Sequence, residues 1–177
     1  MHIIFNSGIM PEAGMIFLSL FISLIKIDCM KTKELVAEAS VDIKAKSKDV
    51  WDALTDSEKI RQYMFGTEVT SQWKEGSKIV WKGEWNGKFF EDLGTITQFK
   101  PGQVLEYTHY SADSGAGKEP ENVHNVTTTL DEKGNQTRVT ISQDGNKNDE
   151  EKKHSEQNWK KILESLKTFV EKSEVNA

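Results

Sequence analysis

The fold class predicted by the sequence is α+β, a curved antiparallel sheet wrapped around a long C-terminal helix with an apolar cavity between them. Three observations predict it. Trp159, Ile162, Leu163, Leu166, Phe169 and Val170 fall at i, i+3, i+4, i+7, i+10 and i+11, while Lys160, Lys161, Glu164, Lys167 and Glu171 fill the other side. That spacing is an amphipathic helix with a single apolar stripe. After Gly66 a series of period-2 runs begins, each bounded by turn residues. Strands and helices are segregated along the chain, which indicates α+β rather than a βαβ repeat.

Taken in order, Leu35 to Ile43 alternates, with Leu35, Ala37, Ala39, Val41 and Ile43 on one face, and reads as a half-buried strand. Ser47 stands as an N-cap before a short helix carrying Val50, Trp51 and Leu54, and Ser57 precedes a second through Ile60 and Tyr63. Ile79, Trp81, Gly83 and Trp85 share the inward face of a strand ending at Asn86-Gly87, a strong hairpin signal. The partner strand runs from Lys88 to about Phe99, and Lys100 to Gly102 (Lys-Pro-Gly) turns it into the next, where Leu105, Tyr107 and His109 alternate with Glu106, Thr108 and Tyr110. Ser111 to Glu121 is polar, contains Pro120 and reads as a loop. His124 to Leu130 and Thr137 to Gln143 form a last hairpin about Asp-Glu-Lys-Gly-Asn. The order is one strand, two short helices, a run of strands and the long helix, whose six apolar side chains contribute on the order of 10 kcal/mol on burial, before chain entropy is subtracted.

Composition sets the boundaries. With 177 residues, 36% apolar and 29% charged, the chain is in the range of a single globular domain. Of the net charge of −5, residues 1–29 supply one unit (Lys26 against Glu12 and Asp28), leaving −4 for Met30 to Ala177. Mild acidity argues against nucleic acid as a partner. Cys29 is the only cysteine, which rules out an intrachain disulfide and fits a reducing, cytoplasmic setting. Met15 to Ile27 is apolar but shorter than the roughly 20 residues of a membrane span. It also lacks the basic flank and small-residue cleavage site of a signal peptide. Residues 1–29 are therefore expected to be a leader outside the domain, with Met30 as the natural start and no membrane association for the domain itself. The alternative is an uncleaved anchor.

A resemblance joins these elements. Val50-Trp51, Arg61 to Gly66 (Arg-Gln-Tyr-Met-Phe-Gly), Trp73 to Ser77 (Trp-Lys-Glu-Gly-Ser), Gly94 with Lys-Pro-Gly and Leu105, Thr137 to Thr140 (Thr-Arg-Val-Thr) and the terminal Trp159 helix resemble the START-like (SRPBCC) superfamily. Within it they are most similar to the activator of Hsp90 ATPase homologue family. The resemblance covers Met30 to Ala177, and each motif is weak by itself; their joint order carries it. It implies a helix-grip domain whose internal cavity holds a hydrophobic or aromatic small molecule. In this branch it also implies chaperone contact, and elsewhere in the superfamily cyclase- or hydrolase-like catalysis.

Trp81, Trp85, Tyr107 and Trp159 are the expected cavity walls, with Leu163 on the same helical stripe. Their plain alternative is core filling. His109 and His124 could supply convergent polar groups, or be simple structural histidines. Tyr63, Met64 and Phe65 are expected at the cavity mouth, with core packing as the alternative. Glu91 and Asp92 are adjacent on a strand and so face opposite ways, and one of them is the best carboxylate candidate for the cavity. No catalytic constellation is legible. The two histidines have no carboxylate or thiolate at ligand spacing, so neither a metal site nor a cofactor is expected. The run Lys147 to Lys153 reads as a solvated helix start whose Asp149, Glu150 and Glu151 complement the helix dipole.

Overall fold

The computed structural model describes residues 35–85, 87–112 and 122–175, apart from the side chains of Trp85, Glu174 and Val175. The leader expected over residues 1–29, Asn86 and most of the loop expected over Ser111 to Glu121 lie outside the described residues.

β1 (Ala37–Ile43) buries Ala37, Val41 and Ile43 and exposes Glu38 and Ser40, as the alternation requires. α1 (Ser47–Thr55) and α2 (Ser57–Tyr63) follow. Neither serine caps its helix. Each is the first helical residue, and the cap positions are Lys46 and Asp56. Asp56 accepts from the Lys59 N–H at 3.0 Å, whereas Lys46 makes no capping side-chain bond. The free N–H of Ser47 is taken instead by Glu132 Oε2, at 2.8 Å, from a strand 85 residues further on. A tertiary contact has replaced the local cap that the sequence suggested.

Six strands follow: β2 (Glu68–Ser71), β3 (Lys78–Trp85), β4 (Lys88–Lys100), β5 (Val104–Ser111), β6 (His124–Lys133) and β7 (Gln136–Gln143). With β1 they form one antiparallel sheet in the order β1-β7-β6-β5-β4-β3-β2. Trp85 pairs with Lys88, and Gly87 ahead of Lys88 has φ 75°. Gln103 N–H closes the Lys-Pro-Gly turn on Lys100 O at 3.0 Å, with Gly102 at φ 71°. The last hairpin is tighter than expected. Lys133 pairs with Gln136, so Asp131 to Lys133 are strand, and the turn is Gly134-Asn135 alone.

β4 is the strand that bends. Its register against β5 slips between Ile96 and Gln98, leaving Thr97 as the extra residue of a bulge. Three residues away, a Cβ on Gly94 would stand 1.8 Å from the Thr108 carbonyl oxygen, so only glycine allows the two backbones to come this close.

α3 (Asp149–Val175) starts on a cap of its own, with Asn148 Oδ1 accepting from Glu151 N–H at 2.8 Å and Glu151 Oε2 accepting from Lys147 N–H at 2.9 Å. Of the predicted stripe, Leu163, Leu166 and Val170 are buried, while Trp159, Ile162 and Phe169 are half-buried. α3 packs chiefly on β1, with lesser contact to α1 and α2. Two bonds tie its C-terminal half to the end of β1 and the connection after it, Lys167 Nζ to Asp42 O at 2.8 Å and Lys44 N–H to Glu171 Oε1 at 2.9 Å. Among the described residues no helix is long and apolar enough to cross a membrane.

Candidate functional site: a cavity between sheet and helix

Where α3 stands away from β3, β4 and β5, a cavity of about 360 Å³ remains. Its volume is within the usual range for small-molecule sites. β3 contributes Ile79 and Trp81, β5 contributes Leu105, Tyr107 and His109, α2 contributes Ile60 and Tyr63, and α3 contributes Trp159, Ile162, Leu163 and Leu166. The alternation of β3 and β5 and the stripe of α3 aim these side chains at one another across the gap.

Three rings of the wall, Trp81, Tyr107 and His109, are in contact. The Trp81 ring lies 5.1 Å from that of Tyr107, tilted by 44°, and 5.1 Å from that of His109, edge to face at 70°. Trp159 holds its indole in place by donating Nε1–H to Gln143 Oε1 at 2.8 Å. Tyr63 is buried beside Phe169, with ring centroids 6.1 Å apart. Burial pushes the Tyr63 phenol well above its ordinary pKa, and nearby Tyr107 adds to the shift; burial alone does the same to Tyr107. Both therefore stay protonated at neutral pH and keep an O–H to donate.

Of the adjacent carboxylates, Asp92 lines the cavity and Glu91 turns outward to Lys82 at 3.0 Å. Asp92 Oδ2 lies 3.2 Å from His109 Nε2. This pair was not legible as such in the sequence, although the signal was present. The Asn86-Gly87 turn sets Trp85 opposite Lys88, and counting back four places sets Trp81 opposite Asp92, on the same face. An imidazole tied to a carboxylate can accept a proton from a group brought within reach.

Other expected site residues are placed elsewhere. Phe65 follows α2 with φ 55° and is 68% exposed, outside the cavity lining, because the left-handed turn into Gly66 swings it to solvent. Its neighbour Met64 does line the cavity. His124 is opposite His109 in the sheet but also lies outside the lining. Its Nδ1–H is taken by the Asp144 carbonyl oxygen at 2.8 Å as the chain leaves β7, so the imidazole is held by the backbone. The Trp85 side chain lies outside the described residues. Phe90, Trp73 and Asn158 line the cavity and were not anticipated, and Thr128, on the same face of β6 as His124, lines it as well.

One antiparallel sheet curved over one long helix, with a cavity held between them, defines a helix-grip protein. The chain belongs to the family of activator of Hsp90 ATPase homolog 1-like proteins, whose model matches residues 44–171. It is 48% identical to the ChR145 protein of Cytophaga hutchinsonii, whose solution structure covers 80% of this chain and 97% of its own at a TM-score of 0.68. The Aha1 dimer of Colwellia psychrerythraea is 23% identical over 77% of this chain and 96% of its own, at 0.60. CalU16 of Micromonospora echinospora is 18% identical over 80% and 79%, at 0.58. In these last two the likeness is one of fold alone. None of the curated proteins matches the chain.

Proposed function

We propose that the protein binds a hydrophobic or aromatic small molecule in the cavity between the sheet and α3. The observation that supports this most is the composition of the wall, in which Trp81, Tyr107 and Trp159 stand among aliphatic side chains with few polar groups between them. Such a wall stabilises an apolar guest by removing its surface from water, and the few polar groups orient it. Intrinsic fluorescence tests this reading. Titration with naphthalene derivatives and fatty acyl chains should change the emission of the wild-type protein, and Trp81→Phe should remove most of that change. A signal that stays flat with every ligand class would count decisively against a binding cavity.

A second reading, contact with an Hsp90-type chaperone, is favoured by the family to which the chain belongs. It predicts a direct complex with a bacterial chaperone of that type and an altered ATPase rate. Absence of both would remove it.

A further inference from the structure

Among the hydrogen-bond donors that line the cavity, two tyrosine hydroxyls are left unused by the protein itself. Tyr63, at the end of α2, and Tyr107, in the middle of β5, both line it, with only 3% and 9% of their surfaces exposed. Among the described residues, neither hydroxyl has a hydrogen-bond partner in the protein, yet every fully occluded side-chain nitrogen or oxygen has one. The two hydroxyls are therefore not sealed into packed protein, and both residues line the cavity. A purely hydrocarbon guest would strip them of water and give nothing back, which is costly for a buried donor. A carbonyl oxygen, with two lone pairs, can accept from both. The remaining polarity of the lining argues against a charged guest. Among the described lining residues there is no Lys or Arg, and the one carboxylate, Asp92, is already engaged with His109. An anion would meet no Lys or Arg among the described lining residues, in a site where burial already disfavours ionisation of both phenols.

The geometry points to an uncharged aromatic or apolar ligand whose carbonyl oxygen takes hydrogen bonds from the Tyr63 and Tyr107 hydroxyls. This assignment rests on the cavity being a ligand site, and the test separates the two. The full chain is titrated with three probes of one shape: 2-acetonaphthone, 2-ethylnaphthalene and 2-naphthoate. The ketone should bind about tenfold more tightly than the hydrocarbon, the yield of two hydrogen bonds of ordinary net strength after the ketone's own loss of water. The naphthoate should bind more weakly than the ketone. Tyr63→Phe and Tyr107→Phe should each cut the ketone-to-hydrocarbon preference severalfold, with thermal melts reporting that each variant is folded. The carbonyl stretch of the bound ketone should move to higher wavenumber in both. Equal affinity for ketone and hydrocarbon, or a preference that survives in the double variant, overturns the donor pair while leaving a binding cavity standing. Tighter binding of the naphthoate overturns the uncharged ligand. Failure of all three probes to bind overturns this assignment together with the cavity reading.

Discussion

Over β1 the C-terminal helix meets a filled interior, whereas over β3, β4 and β5 the same helix faces a cavity. In the first region Ile43 and Val139 are fully buried, and Val170 is 3% exposed. Around them Lys167, Glu171 and Thr137 bond the backbone at the end of β1 and in the β1–α1 connection, Thr137 Oγ1 donating to Ala45 O at 2.8 Å. In the second, large aromatic side chains stand around a space they do not fill, and β4 carries both the bulge and the glycine that bend it. Unfilled volume forfeits dispersion contacts. The difference teaches that the helix is anchored along one side of the sheet, so that the other side is free to remain hollow.

If that division is real, mutations should divide along it. The largest effect is expected in the packed region, where Ile43→Ala should lower the unfolding free energy by about 2–5 kcal/mol, because the surroundings cannot collapse into the hole. Chemical denaturation measures it, and a loss under about 1 kcal/mol would break the contrast. Gly94→Ala comes next, at about 3 kcal/mol, since its methyl group must push the Thr108 backbone aside. The same measurement checks it, and naphthalene binding should weaken along with stability as the bend of β4 relaxes. Ile162→Ala should cost only about 1 kcal/mol, being a half-buried side chain beside space that already exists. A cost equal to that of Ile43→Ala would mean that both regions are equally tight.

The smallest effect belongs to the helix cap. Glu132 accepts from Ser47 N–H and pairs with Lys46, and these contacts hold its carboxyl below the usual range. A lowered folded pKa contributes stability that is present above the unfolded value and is lost as pH falls through the folded one. Glu132→Gln should therefore destabilise slightly at neutral pH, and the gap to wild type should close on acidification in thermal melts. A gap independent of pH would place the effect in packing rather than charge.

Much of the fold was legible in local pattern. The alternation of β1, the Asn86-Gly87 and Lys-Pro-Gly turns and the α3 stripe each depend on residues a few positions apart. Tyr63, Trp81, Tyr107, His109, Trp159 and Leu163 all line the cavity for the same reason, since strand and helix periods alone decide which way they face. His124 has the correct parity and still misses, because a carbonyl from the next connection holds its ring. Phe65 misses because its backbone turns left-handed, which side-chain spacing does not reveal.

The Asp92–His109 pair shows where local pattern stops. Counting from the Lys-Pro-Gly turn, where Lys100 faces Val104, an unbroken ladder would set Thr95 opposite His109 and put Glu91 on the histidine's face. Counting from Asn86-Gly87 puts Asp92 on the face of Trp81. The two counts disagree by one residue, and the bulge at Thr97 is what reconciles them. Side-chain direction along a strand is a local property with a period of two, so element types, turns and most inward faces are written in the chain itself. Register across a bulge, the Glu132 cap and the width of the gap under α3 depend on how distant segments meet. Tertiary packing alone settled these, because only there do the competing positions of backbone and side chain exclude one another.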